Sequence, residues 1–244
     1  MEIQKSGITV KYSDQGEGDV LILLPGTLGD EELFHNQQST LKDRFRILVF
    51  DHPNIADLHE LVDFYHTLFS ELIDGDFHLG GTSVGGWIAQ HYALKYPVKS
   101  LVLGNTFCDN TLLREQSMSM YKISGYAPWF YFRYVFMKKL RRDLNEYPEL
   151  LPYFKNNVRK MGKKGLRQRF WWSLSPVPSV TLEGTPILLI SSDDDPTVPD
   201  ALTAMLRDRY PKDKVHRFPE GGHFPYLTHP DEYSRILREF LESK

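Results

Sequence analysis

The 244-residue sequence has only one cysteine, Cys108, so no disulfide can form within the chain. Such scarcity is typical of proteins that fold in a reducing compartment, and we expect a cytoplasmic location. Metal-ligand patterns are also missing, because neither His52 nor His59 belongs to an HExxH or CxxC motif. We therefore expect no metal and no cofactor.

Long apolar runs and a strong excess of one charge are absent as well. The longest aromatic and apolar run, Tyr126 to Met137, is too short for a membrane span and contains Arg133. The first ten residues lack a basic start followed by an apolar stretch, so we expect no signal peptide. A formal net charge of −3 gives no electrostatic sign of a nucleic-acid partner.

Apolar runs of strand length alternate with segments of helical periodicity along most of the chain. The expected strands are an edge strand at 8–16, followed by 19–26, 46–51, 76–81, 99–105, 186–192 and 214–219. The expected helices are 30–45, 56–73, 84–96, 200–210 and 230–243. This alternation predicts an α/β fold with a mostly parallel sheet and helices on both faces.

One segment, residues 107–180, interrupts the alternation because it contains no convincing strand. It reads as several helices rich in aromatic and basic residues, with 14 Lys and Arg against 5 Asp and Glu. The segment therefore carries a charge of about +9, and the rest of the chain about −12. We predict a core domain of residues 1–106 and 181–244, with residues 107–180 inserted as a helical cap.

The chemistry-bearing motif is Gly81-Thr82-Ser83-Val84-Gly85, which reads G-x-S-x-G between a short strand and a helix. A serine on such a sharp turn adopts a strained backbone and projects its hydroxyl above the sheet. The adjoining helix N-terminus offers free N–H groups to a developing oxyanion. The alternative is a glycine-rich turn whose serine caps the helix.

A serine nucleophile needs a base, and the base needs an orienting acid. In a sheet of this kind the expected chain order is Ser, then Asp or Glu, then His. Three aspartates, Asp193, Asp194 and Asp195, follow a buried strand, and His223 lies in a glycine-rich loop before the last helix. The alternatives are a solvated acidic turn and an unpartnered loop histidine.

These motifs together resemble the α/β-hydrolase superfamily over nearly the whole sheet domain. The shared features are the serine turn, the acid loop "DPTVP" and the Gly-His loop before the terminal helix. In relatives with that acid loop the acid lies four residues before the proline, which implies Asp195. Asp194 is a weaker candidate, and Asp109 lies at a second position that some relatives use.

The resemblance also implies an oxyanion hole made of two backbone N–H groups. Val84, directly after Ser83, matches one position. Relatives usually read His-Gly-x after the first buried strand, whereas this chain reads "PGTLG". By position Thr27 is the second donor, with Leu28 as the fallback.

Further stretches, including "DHPNIAD" and "LVLGNTFCDNT", are similar to the maspardin branch of the superfamily. That branch includes proteins thought to act as binding or sorting partners with degraded catalytic residues, whereas Ser83, Asp195 and His223 are all present here. The leading hypothesis is a serine hydrolase that cleaves a carboxylic ester or related small acyl substrate. The alternatives are a non-catalytic binding protein, and C–C bond, thioester, amide or peracid chemistry.

The segment from Tyr121 to Trp172 contains 14 aromatic residues. We expect most of them to form the core of the cap and a few to line a substrate cavity. The basic run "MKKLRR" is compatible with weak contact with a membrane surface or an acidic partner, although such runs are more often solvated helix faces. The sequence determines neither the acyl substrate nor the oligomeric state.

Overall fold

The computed structural model describes residues 1–244 and contains one eight-stranded sheet. The strands are β1 (Glu2–Lys5), β2 (Ile8–Gln15), β3 (Asp19–Leu24), β4 (Phe45–Phe50), β5 (His78–Thr82), β6 (Ser100–Gly104), β7 (Ile187–Ser192) and β8 (Lys214–Phe218). Their order in the sheet is β1-β2-β4-β3-β5-β6-β7-β8. All neighbours from β4 to β8 pair in parallel, while β1 and β2 are antiparallel to their neighbours.

Nine α-helices surround the sheet or follow its strands. They are α1 (His35–Leu41), α2 (Leu58–Leu72), α3 (Val84–Lys95), α4 (Thr111–Tyr126), α5 (Trp129–Asp143), α6 (Leu151–Leu174), α7 (Asp200–Arg209), α8 (Pro225–Thr228) and α9 (Pro230–Leu241). A short 3-10 helix, Pro148–Leu150, precedes α6, and α6 is kinked at Gly162. None of these helices is long and apolar enough to cross a membrane.

The central strands are buried on both faces, as continuous apolar runs require. Alternate residues of β3 enter opposite cores, with Ile22 and Leu24 packing toward α2 and α3 and Leu21 and Leu23 packing toward α1 and α9. This is the α/β-hydrolase fold, with a mostly parallel sheet flanked by helices, and it confirms the predicted fold class. The parallel strands from β5 to β8 end side by side, so the loops that follow them meet at one edge.

Three details at the N-terminal end differ from expectation. The sheet begins with β1, which was not predicted because four residues are too few to show a clear alternation. Consequently β2 is not an edge strand but pairs with both β1 and β4. The first helix is shorter than 30–45, since the Asp30 side chain accepts the Glu32 N–H (3.2 Å) in a turn before α1.

Residues 107–180 contain α4, α5, the 3-10 helix and α6, and no strand. The two ends of this segment meet where the Val180 N–H donates to the Cys108 carbonyl (2.9 Å). Some of its buried residues, including Phe154 and Leu166, continue the core on the α1 and α9 side of the sheet, whereas Phe107 and Trp172 join the core on the α2 and α3 side. The segment therefore packs on the body through apolar contacts that begin directly after β6.

Candidate active site

Ser83 lies on the turn between β5 and α3 in a conformation that few non-glycine residues adopt. Its φ and ψ are 54° and −124°, a region that costs about 1–3 kcal/mol for a residue with a Cβ. Space requires the flanking glycines, because a Cβ on Gly81 would lie 2.4 Å from the Gly85 carbonyl carbon. A Cβ on Gly85 would lie 2.1 Å from the Leu24 oxygen. The sharp, strained turn expected from the motif is therefore present.

The backbone of Ser83 is held in place while its hydroxyl remains free. The Ser83 N–H donates to the Gly104 carbonyl (2.9 Å), and the Thr106 hydroxyl donates to the Ser83 carbonyl (2.6 Å). The Ser83 side chain makes no capping hydrogen bond to α3. The alternative of a helix-capping serine is therefore wrong, and the hydroxyl has no structural partner.

His223 and Asp195 form a buried pair. Nδ1–H of His223 donates to Asp195, at 2.8 Å from Oδ2 and 3.0 Å from Oδ1. Only 7% of the His223 side chain and 4% of the Asp195 side chain are exposed. A proton on Nδ1 leaves Nε2 as the basic nitrogen, which is the tautomer that a general base needs.

The Asp195 carboxylate accepts several further hydrogen bonds. Oδ1 accepts the backbone N–H groups of Thr197 (2.8 Å) and Val198 (3.1 Å), and Oδ2 accepts the Asn105 amide (2.9 Å). Burial alone raises the pKa of Asp195, but the charge and hydrogen bonds of His223, with those of Asn105 and Thr197, outweigh it. The net result is a lowered pKa, so Asp195 is ionised at neutral pH.

The other candidate aspartates do not contact His223. Asp194 accepts the backbone N–H groups of Gly222 (2.9 Å) and Gly221 (3.2 Å), and so holds the loop that carries the histidine. Asp193 pairs with Arg217 on the surface (2.6 Å). Asp109 accepts the Thr111 N–H (2.8 Å) at the start of α4. Of the four aspartates, Asp195 is the one that is hydrogen-bonded to the imidazole.

Asn105 is a member of the site that motif analysis missed. It follows β6 with a φ of 42°, and its side chain is buried between the acid loop and the histidine loop. Besides the bond to Asp195, its amide nitrogen lies 3.3 Å from the Gly222 carbonyl. The sequence feature that could have identified it is its position directly after a strand, because Asn adopts a left-handed backbone more readily than most residues.

The candidate residues come from the ends of four neighbouring strands. Ser83 follows β5, Asn105 follows β6, Asp195 follows β7 and His223 follows β8. No hydrogen bond joins the Ser83 hydroxyl to His223 in this structure, and such bonds are often long in unliganded enzymes. No group of three or more His, Cys, Asp or Glu side chains is placed to hold a metal ion.

The loop after β3 passes directly beside Ser83. A Cβ on Gly26 would lie 3.3 Å from the Ser83 Cβ. The next residue is Thr27, whose N–H donates to no acceptor within the protein. Val84 is the first residue of α3, so its N–H belongs to the free turn at the helix N-terminus. Both expected oxyanion donors thus lie next to Ser83 in the chain or in the adjoining loop.

Side chains of α6 hold the carbonyl groups of this loop. Arg169 donates to the Gly29 carbonyl (2.5 Å) and lies 3.4 Å from the Thr27 carbonyl, while Asn157 donates to the Leu28 carbonyl (3.1 Å). Arg169 is buried and also pairs with Asp51 after β4 (2.5 Å). Three consecutive carbonyls therefore face α6. Neither Arg169 nor Asn157 was identified from the sequence.

His52 supports the start of the same loop. Its Nε2 is 2.8 Å from the Pro25 carbonyl, and its Nδ1 is 2.7 Å from the Tyr65 hydroxyl. Burial, together with the nearby Arg169 charge, lowers the pKa of His52 to about 3. The neutral ring must carry its proton on Nε2, because a carbonyl can only accept. Here a histidine from the end of β4 fixes the loop that lacks the usual His-Gly sequence.

Comparison with known proteins identifies the family. A family model described as "Alpha/beta hydrolase family" matches residues 21–236. The chain belongs to the alpha/beta hydrolase family. The resemblance inferred from the motifs is confirmed, and so is the expectation of a hydrolase of this fold.

The relatives of this alpha/beta hydrolase span different functions. It is 23% identical to Maspardin of Homo sapiens, with 91% of this chain and 74% of the relative covered. It is 22% identical to the pimeloyl-(acyl-carrier protein) methyl ester esterase of Legionella pneumophila (strain Lens), with 96% and 100% covered. A solved thermophilic esterase from Thermogutta terrifontis superposes with a TM-score of 0.84 at 20% identity, covering 100% of this chain and 98% of that one.

Proposed function

We propose that this alpha/beta hydrolase cleaves a carboxylic ester or a related small acyl substrate through Ser83, His223 and Asp195. The observation that carries the proposal is the strained Ser83 turn, whose hydroxyl has no structural partner, beside the buried His223–Asp195 pair. A positive φ at a non-glycine residue costs stability, and such strain clusters at functional sites.

In the proposed reaction the Ser83 hydroxyl attacks the substrate carbonyl while Nε2 of His223 accepts its proton. Asp195 holds the imidazole and stabilises its positive charge. The imidazolium then protonates the departing alcohol, which leaves an acyl group on Ser83. In the second half of the cycle His223 takes a proton from a water molecule, whose oxygen attacks the acyl carbon. The bond between the acyl carbon and the Ser83 oxygen then breaks, His223 returns the proton to that oxygen, and the carboxylic acid departs.

The N–H groups of Thr27 and Val84 are the proposed donors to the tetrahedral oxyanion. Removal of one such donor typically costs about 100- to 1,000-fold in kcat. The carbonyl contacts of Arg169, Asn157 and His52 support this assignment, because they fix the backbone on both sides of Thr27 and so hold its N–H in one orientation.

The names of relatives support an acyl substrate, since one is a methyl ester esterase and a structural neighbour is an esterase. Thioester, amide, C–C bond and peracid chemistry use the same three residue types. Rates with p-nitrophenyl esters of increasing acyl length would define the acyl site, and we expect turnover of short chains.

A second candidate is a non-catalytic binding protein of the maspardin kind. The similarity to Maspardin over 91% of this chain favours it. In this alternative the serine turn is retained as structure, and Ser83 is not nucleophilic.

A fluorophosphonate probe separates the two candidates, because it reacts only with an activated serine. We expect the wild type and Ser119→Ala, which changes an exposed serine on α4, to be labelled equally. Ser83→Ala should not be labelled. An unlabelled wild type that also turns over no ester in the panel would favour the binding protein.

A further inference from the structure

The surface of α4 and α5 carries an unusual concentration of exposed apolar side chains. Of the eleven large apolar residues that are exposed in the protein, seven lie between residues 120 and 135. They are Met120, Ile123, Tyr126, Phe130, Tyr131, Tyr134 and Val135. Tyr126 is 93% exposed and Phe130 is 76% exposed, so these rings contribute neither to the core nor to an enclosed cavity. Large apolar patches of this kind mark interaction sites.

The exposed half of α5 is apolar at its beginning and cationic at its end. Helical periodicity places Phe130, Tyr134, Lys138 and Arg141 along one exposed stripe, and the helix turns inward beside it, where Met137 and Leu140 are buried. We call residues 120–142, with this surface, the cap corner.

The cap corner contains no acidic residue. From residue 116 to residue 142 the sequence has no Asp or Glu but six basic residues: Lys122, Arg133, Lys138, Lys139, Arg141 and Arg142. Lys139 and Arg142 pair with Asp143 at the end of α5. The other four take part in no ion pair within the protein, so their charges are available to an external partner.

The exposed rings lie on a corner that α6 holds firmly. Lys163 donates to the carbonyls of Gly125 (2.8 Å) and Ala127 (2.6 Å), and so caps the C-terminal end of α4. Arg167 donates to the Tyr121 carbonyl (2.7 Å), and its guanidinium lies 4.3 Å from the centre of the Tyr121 ring. The apolar surface is therefore exposed on an ordered turn between two helices.

We propose that the cap corner docks on the surface of a bilayer that contains anionic phospholipids. Tyrosine rings suit the headgroup level of a membrane, and unpaired lysine and arginine side chains bind lipid phosphates. A second copy of the chain is a poorer partner, because two cap corners face to face would bring like charges together without an acidic residue between them. α5 has 15 residues and lies on the surface rather than spanning it.

Co-sedimentation of the full chain with vesicles tests the proposal. We expect binding to vesicles of equimolar phosphatidylcholine and phosphatidylglycerol, little binding to pure phosphatidylcholine, and weakening as salt is added. The charge variant Lys138→Gln/Arg141→Gln should lower the partition coefficient about 25-fold, at about fivefold per charge. The apolar variant Phe130→Ser/Tyr134→Ser should lower it at least about tenfold.

Matched controls alter similar residues elsewhere on the surface. Leu94→Ser removes an exposed apolar side chain from α3, and Lys42→Gln/Lys212→Gln removes two exposed, unpaired lysines outside the cap corner. Both controls should bind like the wild type, and all variants should keep the wild-type unfolding midpoint because the altered residues are exposed.

Three results would overturn the proposal. The first is no binding of the wild type to anionic vesicles, and the second is equal binding to vesicles without charge. The third is a wild-type dimer in sedimentation velocity that dissociates in Phe130→Ser/Tyr134→Ser, which would identify the cap corner as a subunit interface. None of these results depends on hydrolytic activity, so the docking surface and the proposed reaction are tested separately.

Discussion

The carboxyl edge of the sheet and the cap corner differ in whether their side chains have partners within the protein. At the sheet edge the carboxylates beside the histidine are paired: Asp195 accepts hydrogen bonds from four groups, and Asp194 from two backbone N–H groups. At the cap corner, rings such as Phe130 and charges such as Lys138 have none. One region is organised from within, whereas the other presents a surface that the protein itself does not cover.

The contrast shows where each kind of test applies. The hydrogen-bonded groups at the sheet edge act together. Removal of one of them should therefore lower activity or stability by more than the loss of its own contact. Groups without internal partners should be replaceable at little cost to stability, and their effect should appear only when the partner is present. The following predictions begin with the largest expected effect.

Ser83→Ala and His223→Ala should each lower kcat about 10⁵-fold or more, and the double variant should lose no more than either single one. Non-additivity is expected because the two residues take part in the same proton transfer. The measurement is turnover of a p-nitrophenyl ester, with Ser119→Ala as the control. A double variant whose losses multiply would show that the two residues act independently.

Asp195→Asn should lower kcat about 10³- to 10⁴-fold, because an amide at this position disfavours the required imidazole tautomer. Asp194→Asn should keep kcat within about tenfold but lower the free energy of unfolding by about 1–2 kcal/mol, since one backbone N–H loses its acceptor. Asp109→Asn should change neither. Near-native turnover by Asp195→Asn would show that the acid has been assigned wrongly.

Arg169→Gln should lower kcat about 10- to 100-fold with KM nearly unchanged, because it loosens the loop that bears the Thr27 donor rather than a contact with substrate. Arg159→Gln, an exposed arginine on the same helix, is the matched control. A change confined to KM would indicate that Arg169 binds the substrate instead.

His52 should make stability dependent on pH. The pKa of His52 is lowered to about 3 in the folded protein, so between about pH 6.5 and pH 3 its imidazole is protonated in the unfolded chain but neutral in the folded one. The free energy of unfolding should therefore fall as pH drops from about 6.5, by about 1.4 kcal/mol per pH unit for this residue. Buried His78 and His91, whose pKa values are lowered to about 4, act with the same sign.

His52→Gln should remove about one proton from that slope between about pH 4 and 6, as measured by denaturant unfolding at several pH values. His35→Gln, which changes an exposed histidine, is the control for the substitution itself and should leave the free energy of unfolding at neutral pH unchanged. An unchanged slope in His52→Gln would mean that His52 is protonated in the folded protein.

The sheet was largely predictable because its central strands are short apolar runs buried on both faces. β5 to β7 match their expected ranges to within two residues. β1 was missed because Glu2–Lys5 lies on an edge, where polar residues are tolerated and the pattern disappears. The first helix was overextended because apolar periodicity cannot reveal that Asp30 binds its own backbone.

The candidate site was predictable only where a residue belongs to a local motif. Ser83, Asp195 and His223 each lie in a short recognisable stretch. Arg169 and Gly29, by contrast, are 140 positions apart in the chain, and no periodicity links them. The division into core and cap at residues 107 and 180, the cytoplasmic location and the role of the three residues stay predictions.

The cap aromatics show a different limit. Counting 14 rings suggested a core with some cavity lining, and Phe154 and Trp172 are indeed fully buried. Tyr126, Phe130, Tyr131 and Tyr134 are exposed instead. A count of aromatic residues shows how many rings the segment contains, but it does not show which of them are exposed to solvent.

The most direct test of the central claim is a crystal structure after reaction with an aryl phosphonate ester. We expect phosphorus bonded to the Ser83 oxygen, the phosphonyl oxygen accepting from the N–H groups of Thr27 and Val84, and Nε2 of His223 within hydrogen-bonding distance of the Ser83 oxygen. An unmodified Ser83, or a His223 ring that stays out of reach of the adduct, would contradict the account.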